Sequence, residues 1–431
     1  MRRVFYGWLV VAAAFAVTFV GFGSAYTFSA FVDSLQTEFG ASRGSVSLVF
    51  SLAGFLYFSF GIVSGPLADR WGSRRLAVLG MIVIGAGLVL AGRAQSLSAV
   101  YAAYGLGVGL GVGCAYVPAL GAVQRWFSKR RASASGIAVS GIGVGTLALP
   151  ALAALLIQKL GWRDAYLVLG CGAAVIGGGL ALLIVDDPHE RGLLPDGEPR
   201  SASDSPPARS GASVGAAIRS RPFLILYASC LICSFGVFVP FVHLVPYATD
   251  HGIPQSSAIL LLGAIGVGST AGRFFLGGIA DRVGRRLTLV AMLVGMAAAL
   301  ALWPMSTGLW WLATFAMLYG LFYGGWVAVL PALVMDSFGG RNVSGIIGIL
   351  YTSVAFGTLI GPSSAGWMFD VTGSYTAPIA ASVLATIASA AIVSILLKTA
   401  KGRSGVRHER TDDTGSALQS DERTEQSVAE R

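Results

Sequence analysis

"GPLADRWGSRR" (65–75) and "GGIADRVGRRL" (277–287) are one loop written twice in the same chain. They share an Ala-Asp-Arg-x-Gly core, and an offset of 212 residues carries Asp69 onto Asp281 and Gly72 onto Gly284. Each copy separates two long apolar runs. Its glycines permit a tight turn between antiparallel helices, and its aspartate can pair with an arginine or with a helix N-terminus. Arginines alone would suit a purely topogenic role; an acidic core repeated once per half would not. The expectation is a charge latch that favours one conformational state, with Asp69, Arg70, Arg74, Asp281, Arg282 and Arg286 as its members.

The rest of the chain explains why this loop matters. Of 431 residues, 55% are hydrophobic and 12% charged, with a mean hydropathy of +0.72. Soluble domains carry about 25% charged residues, so this is an integral membrane protein. Its 58 glycines fit helices that pack closely where lipid supplies no hydrophobic drive. Spans of about 20 apolar residues fall near 6–30, 45–68, 75–93, 97–125, 132–158 and 163–185. A second set falls near 222–249, 256–280, 287–305, 308–335, 342–368 and 376–398. The fold class is therefore all-α: twelve transmembrane helices in two six-helix bundles related by a parallel repeat, as in alternating-access transporters.

Domain limits follow from composition. Residues 1–186 form the first bundle and 220–399 the second. Residues 187–219 form a Pro/Ser/Asp/Arg-rich linker read as mobile, and 400–431 a polar tail read as disordered. The first apolar run is too long for a signal peptide and lacks a cleavage site, so it is expected to stay as a span. Arg2, Arg3, Arg70, Arg74, Arg75, Arg125, Lys129, Arg130 and Arg131 fall on one side of the membrane. Arg282, Arg285, Arg286, Arg341, Lys398 and Lys401 continue on that side, while the opposite loops hold little beyond Arg43, Arg93, Lys159 and Arg163. The positive-inside rule then makes both termini and the linker cytoplasmic. The net charge of +9 is topogenic rather than a sign of nucleic-acid binding.

The paired loops resemble the signature of the major facilitator superfamily, and the resemblance extends over everything but the tail. A finer likeness is carried by "YGWLVVAAAF" (6–15), "QRWFSKRRASASGIAVSGIGVG" (124–145), "VPFVHLVPYATDHGI" (239–253) and "GRFFLGGIAD" (272–281). These are similar to the monocarboxylate transporter family, in particular its bacterial members and the related oxalate/formate exchanger branch. The resemblance implies that Arg273 is the carboxylate anchor of the eighth span. Two departures stand out. The proton-coupled animal members carry an aspartate one turn earlier, where this chain has Ser269. The oxalate branch has a lysine in the eleventh span, where "LYTSVAFG" (350–357) offers Val354 and no base. A site with two fixed cations for a dianion is thereby disfavoured.

Depth supports the same residue independently. Arg273 precedes Asp281 by eight residues, roughly 12 Å at ~1.5 Å per residue, close to the midplane where transporter sites lie. An arginine there is expensive unless it faces a wet cavity or a counter-charge. Asp69, Asp281 and Asp336 sit at cytoplasmic ends, and Asp33, Asp250 and Asp370 near external ones, so the span interiors offer no carboxylate. Either the substrate supplies a carboxylate for the guanidinium, or the arginine bonds backbone carbonyls. The 212 offset takes Arg273 onto Gly61, so the charge belongs to one half only.

The same counting places Tyr116, Tyr351, Trp326 and Tyr323 deep enough to line a substrate site, although aromatics in spans are more often packing or belt residues. His243, the one histidine within a predicted span, is the candidate for proton coupling or gating; a lining role without proton transfer is open too. Cys230 and Cys233 form a C-x-x-C inside an apolar span, where neither redox nor zinc chemistry is expected. The run "GLGVGLGVG" (105–113) has no preceding strand and reads as helix packing rather than a nucleotide loop. Without a nucleophile, paired carboxylates or a metal cluster, no enzyme and no cofactor are expected. The expected function is transport of a small monocarboxylate such as lactate or pyruvate across the plasma membrane, the inner membrane in a bacterium. Proton symport by a monomer is the expected mode. Anion exchange, drug efflux and a non-transporting sensor are the alternatives.

Overall fold

The computed structural model describes residues 5–41, 43–197, 211–305 and 307–395. Arg2, Arg3, Lys398, Lys401, the centre of the linker and the polar tail lie outside the described residues. Among those described, eleven helices are long and apolar enough to cross a membrane, and a bent pair makes a twelfth. In chain order they are α1 (Tyr6–Tyr26), α2 (Arg43–Ser59 with Gly61–Trp71), α3 (Ser73–Gly92), α4 (Leu97–Trp126), α5 (Arg131–Leu160) and α6 (Trp162–Ala181). The second half holds α7 (Arg221–Asp250), α8 (Gln255–Val283), α9 (Arg285–Met305), α10 (Leu309–Phe338), α11 (Val343–Thr372) and α12 (Thr376–Ile395). The chain is an all-α membrane protein.

These segments are apolar on every side, which suits helices that face protein on one flank and lipid on the other. Val10, Val17, Ile84, Tyr104 and Leu293 pack inside, while Val175, Leu260, Phe275 and Trp310 point outward. The 43° bend in α2 falls just before Gly61. Five residues later Pro66 has no N–H to offer the Ile62 carbonyl, so the helix is weakened on both sides of the break.

The two halves meet where α2 crosses α11 and where α5 crosses α8. Both crossings are built on glycine, and they are copies of one another. A Cβ on Gly348 of α11 would stand 1.8 Å from the Gly61 carbonyl oxygen of α2; one on Gly136 of α5 would stand 1.9 Å from that of Arg273 in α8. One step along, a Cβ on Gly65 would meet the Ser344 carbonyl oxygen at 2.3 Å, and one on Gly277 that of Ala132 at 2.5 Å. Each pair maps onto the other by the 212-residue offset. Backbone therefore rests on backbone at both crossings, which only the absence of side chains allows.

The described ends of the linker, and Asp186 just before it, are hydrogen-bonded to the bundles. Asp186 accepts from the Ser73 N–H at 2.6 Å and Asp196 from the N–H groups of Ser128 and Lys129 at 3.1 and 2.9 Å. On the far side the Ala212 N–H donates to Phe338 O at 2.8 Å, and Asn342 Nδ2 donates to Ala212 O at 3.0 Å. Composition suggested mobility because it counts polar residues. It does not count loop N–H groups waiting for a carboxylate.

Gly136→Ala and Gly348→Ala should each wedge the halves apart, seen as greater reactivity of thiols introduced along α5 and α11 on the Asp69 face. The same change at Gly172, where a Cβ meets nothing within 4 Å, should leave reactivity unchanged and favour the helix by about 1 kcal/mol.

Candidate functional site

The interface between the halves holds a guanidinium in an aromatic enclosure. Arg273 is 4% exposed and takes part in none of the ion pairs among the described residues. Its Nε is buried without a hydrogen-bond partner. The guanidinium carbon lies 5.7 Å from the centre of the Tyr323 ring, within cation–π range. The hydroxyls of Tyr26, Tyr116 and Tyr323 all lie within electrostatic reach of its charge. Helix α8 is held so near α5 that a Cβ at Gly143 would be 3.6 Å from Arg273 Nη1.

Both halves contribute walls. Tyr116 of α4 and Tyr351 of α11 are stacked, with ring centres 5.6 Å apart and planes at 6°, and their hydroxyls are 3.4 Å apart. Phe22 meets Tyr116 edge-on at 4.9 Å and Tyr57 at 5.2 Å. From the other side, Tyr323 stands 6.5 Å from Phe238 and 6.2 Å from Trp326, and Phe58 bridges Tyr351 and Phe238 at 6.3 and 6.4 Å. Of the residues singled out in the sequence, Arg273, Tyr116, Tyr351, Tyr323 and Trp326 come together here. Tyr26, Tyr57 and Ser269 belong to the same region but were passed over. Depth was counted from charges on the basic face, and Tyr26 and Tyr57 lie farther from those charges.

His243 is elsewhere. Its Nε2 is 3.0 Å from the Pro362 carbonyl oxygen, which makes Nε2 the donor, and its ring is 5.6 Å from Tyr375. It ties α7 to α11, apart from the arginine.

At the basic face, each half lends a carboxylate to the other. Asp281 Oδ1 and Oδ2 accept from the N–H groups of Ala132 and Ser133, at the start of α5, at 3.0 and 2.8 Å. Asp69 Oδ1 and Oδ2 accept from Ser344 and Gly345, at the start of α11, at 3.3 and 2.8 Å. The acceptors and both donors are related by the same offset of 212. Two arginines outside the expected set, Arg125 and Arg285, join them. Arg125 pairs with Asp69, lies 3.6 Å from Asp186 and donates to Gly340 O at 3.3 Å. Arg285 pairs with Asp281 at 2.7 Å and Asp336 at 2.5 Å and donates to Ser128 O at 3.1 Å, while Arg131 also holds Asp336 at 2.5 Å. Arg70 and Arg282 instead are exposed and make no ion pair or hydrogen bond among the described residues, because they lie on the outer flank of their helix ends. Arg74 bonds Ile184 O at 2.6 Å within its own half.

Two six-helix halves, related by one offset and closed around a buried charge, are the architecture that the comparisons match. The family model described as Major Facilitator Superfamily matches over residues 13–269 and again over 224–426. The chain belongs to the major facilitator superfamily. It is similar to monocarboxylate transporter 12-B of Danio rerio, 31% identical over 411 residues that cover 90% of this chain and 86% of the relative. Monocarboxylate transporter 11 of Homo sapiens is also 31% identical, over 388 residues, 86% of this chain and 79% of that one. Among solved structures, the human organic anion transporter MFSD10 matches with a TM-score of 0.70 at 14% identity, covering 90% of this chain and 99% of that chain. The E. coli fucose:proton symporter FucP matches with a TM-score of 0.67 at 16% identity, covering 89% and 98%. As a member of the major facilitator superfamily the chain is a multi-pass membrane transporter, not an enzyme.

Asp69→Asn and Asp281→Asn each remove one negative charge from a helix N-terminus, an interaction of about 0.3–2 kcal/mol. Each should open the basic face, raising labelling there up to about 30-fold by that energy, and the double variant should open it further.

Proposed function

We propose that the chain carries a small monocarboxylate, of the size of lactate or pyruvate, across the plasma membrane by alternating access. The observation that carries this reading is the bare arginine. A buried guanidinium costs roughly 2.5–3.5 kcal/mol at mid-membrane even on lenient scales, and no resident carboxylate offsets it among the described residues. A substrate carboxylate would offset it, through the bidentate geometry for which guanidinium is suited. The relatives named monocarboxylate transporters support the same substrate class. In this reading Arg273 anchors the carboxylate, the Tyr116 and Tyr351 hydroxyls assist, and Tyr323, Trp326 and the phenylalanines limit size. Asp69 and Asp281, with Arg125 and Arg285, hold the basic face shut. That face is cytoplasmic by its arginines and lysines, with both termini on it, and the monomer is the working unit.

Coupling has two readings. Proton symport moves anion and proton as a neutral pair, with His243 as the titrating group. Exchange is favoured by a separate observation: Arg273 is buried and no carboxylate among the described residues neutralises it, which penalises return of the unloaded carrier. In proteoliposomes, symport predicts uptake driven by an imposed pH gradient alone. Exchange predicts uptake only when carboxylate is trapped inside.

Arg273→Gln, at normal expression and thermal stability, should lower uptake of labelled lactate or pyruvate about 10- to 100-fold, the range of a lost charge-assisted hydrogen bond. Uptake at the unaltered rate would remove the anchor. Tyr116→Phe should weaken apparent affinity up to about 10-fold.

A further inference from the structure

Hydroxyls inside membrane helices commonly bond back to their own helix, and this chain follows that habit. Thr146, Ser234, Thr270, Thr288, Thr358, Ser382 and Thr386 all donate to the carbonyl four residues earlier. Ser269 departs from it. The residue is 4% exposed, yet its Oγ has no hydrogen-bond partner. One turn later on the same helix lies Arg273, whose Nε is likewise buried and unpaired. Among the buried side chains without a partner, no other two stand one turn apart on one helix. Residues at this spacing have Cβ atoms about 5–6 Å apart on one helix face. Two orphaned polar groups, one cationic and one neutral, therefore adjoin each other in the enclosed site.

An unpaired buried hydroxyl costs roughly 1–3 kcal/mol. Thr270, its neighbour, avoids that penalty by bonding Gly266 O at 3.0 Å. Helix α10 closes over the backbone of Ser269 through two glycines: a Cβ on Gly324 would stand 2.0 Å from Ser269 O, and one on Gly320 would stand 3.0 Å from Ser269 N. The residue's backbone is thus clamped in place, one turn before Arg273 on the same helix face. Serine also adds no charge, so the carboxylate bound at Arg273 meets no opposing anion.

We propose that Ser269 is a substrate contact that reads the oxygen on the carbon next to the carboxylate, so that the site selects 2-hydroxy and 2-oxo acids over unsubstituted acids. This rests on the monocarboxylate reading above. The carboxylate occupies the guanidinium, and the adjacent hydroxyl or carbonyl oxygen completes the Ser269 hydroxyl. A hydroxyl can donate to a 2-oxo group and accept from a 2-hydroxy group, so one residue serves both. Propionate has the same carbon skeleton as lactate without that oxygen, and binding it leaves Ser269 unsatisfied.

The test is uptake of labelled lactate, pyruvate and propionate by proteoliposomes of the full chain, wild type beside Ser269→Ala and Ser269→Thr. Wild type should take lactate and pyruvate about 10- to 100-fold better than propionate, as a lost buried hydrogen bond would give. Ser269→Ala should bring the three acids to similar rates by lowering lactate and pyruvate uptake toward that of propionate, and Ser269→Thr should keep most of the preference. Wild type carrying all three acids equally overturns the proposal without any variant, as does Ser269→Ala retaining the preference. If wild type carries none of the three, the monocarboxylate reading itself fails, which is a separate result.

Discussion

Each half of this transporter caps one of its partner's helices. The first turn of an α-helix has N–H groups with no carbonyl inside the helix to receive them, and a carboxylate there gains from both the hydrogen bonds and the positive end of the helix. Helices α5 and α11 obtain that carboxylate from across the interface, from Asp281 and Asp69. Neither half is electrostatically complete by itself on this face. The glycine crossings beneath the caps set how near the helices come, and so whether the carboxylates reach. The buried site depends on the same approach, since its walls come from α1, α2 and α4 on one side and α7, α8, α10 and α11 on the other.

The halves are alike in scaffold and unlike at the centre. Gly61 and Arg273 occupy equivalent places, and their carbonyls rest on the equivalent glycines Gly348 and Gly136. Only one of the two sends a side chain onward. The shared backbone contact holds α8 in register, and that register aims the arginine into the space between the bundles. Asymmetry in chemistry is thus laid on symmetry in packing. The ion pairs at the face are asymmetric too: Arg125 of α4 serves Asp69, whereas α10 supplies Asp336, an acid, at the corresponding helix end and Arg285 takes the arginine's part.

Much of this was legible in the sequence. Apolar length gave the helix count, and the repeated Asp loop gave the architecture. Depth counting picked out Arg273 and four aromatic neighbours. The missed parts share a cause, which is that they depend on contacts between distant segments. Arg70 and Arg282 stand beside their aspartates in the chain and point away from them in space, while Arg125 is 56 positions from Asp69 and meets it. Tyr26 and Tyr57 were missed because depth was counted from the charges of the basic face, and both lie farther from those charges. The linker ends looked mobile because the N–H groups that hold them lie in another loop.

The stacked pair of Tyr116 and Tyr351 has a kinetic meaning. One ring belongs to each bundle, so the wall that they form exists only while the bundles are together around the site. Under the proposed function, a molecule bound against that wall is held most tightly in the closed form and less tightly in any form open to one side. Binding that is strongest at the midpoint of a passage speeds the passage, by the same logic through which an enzyme's complementarity to a transition state speeds a reaction. The cargo, in that sense, catalyses its own crossing.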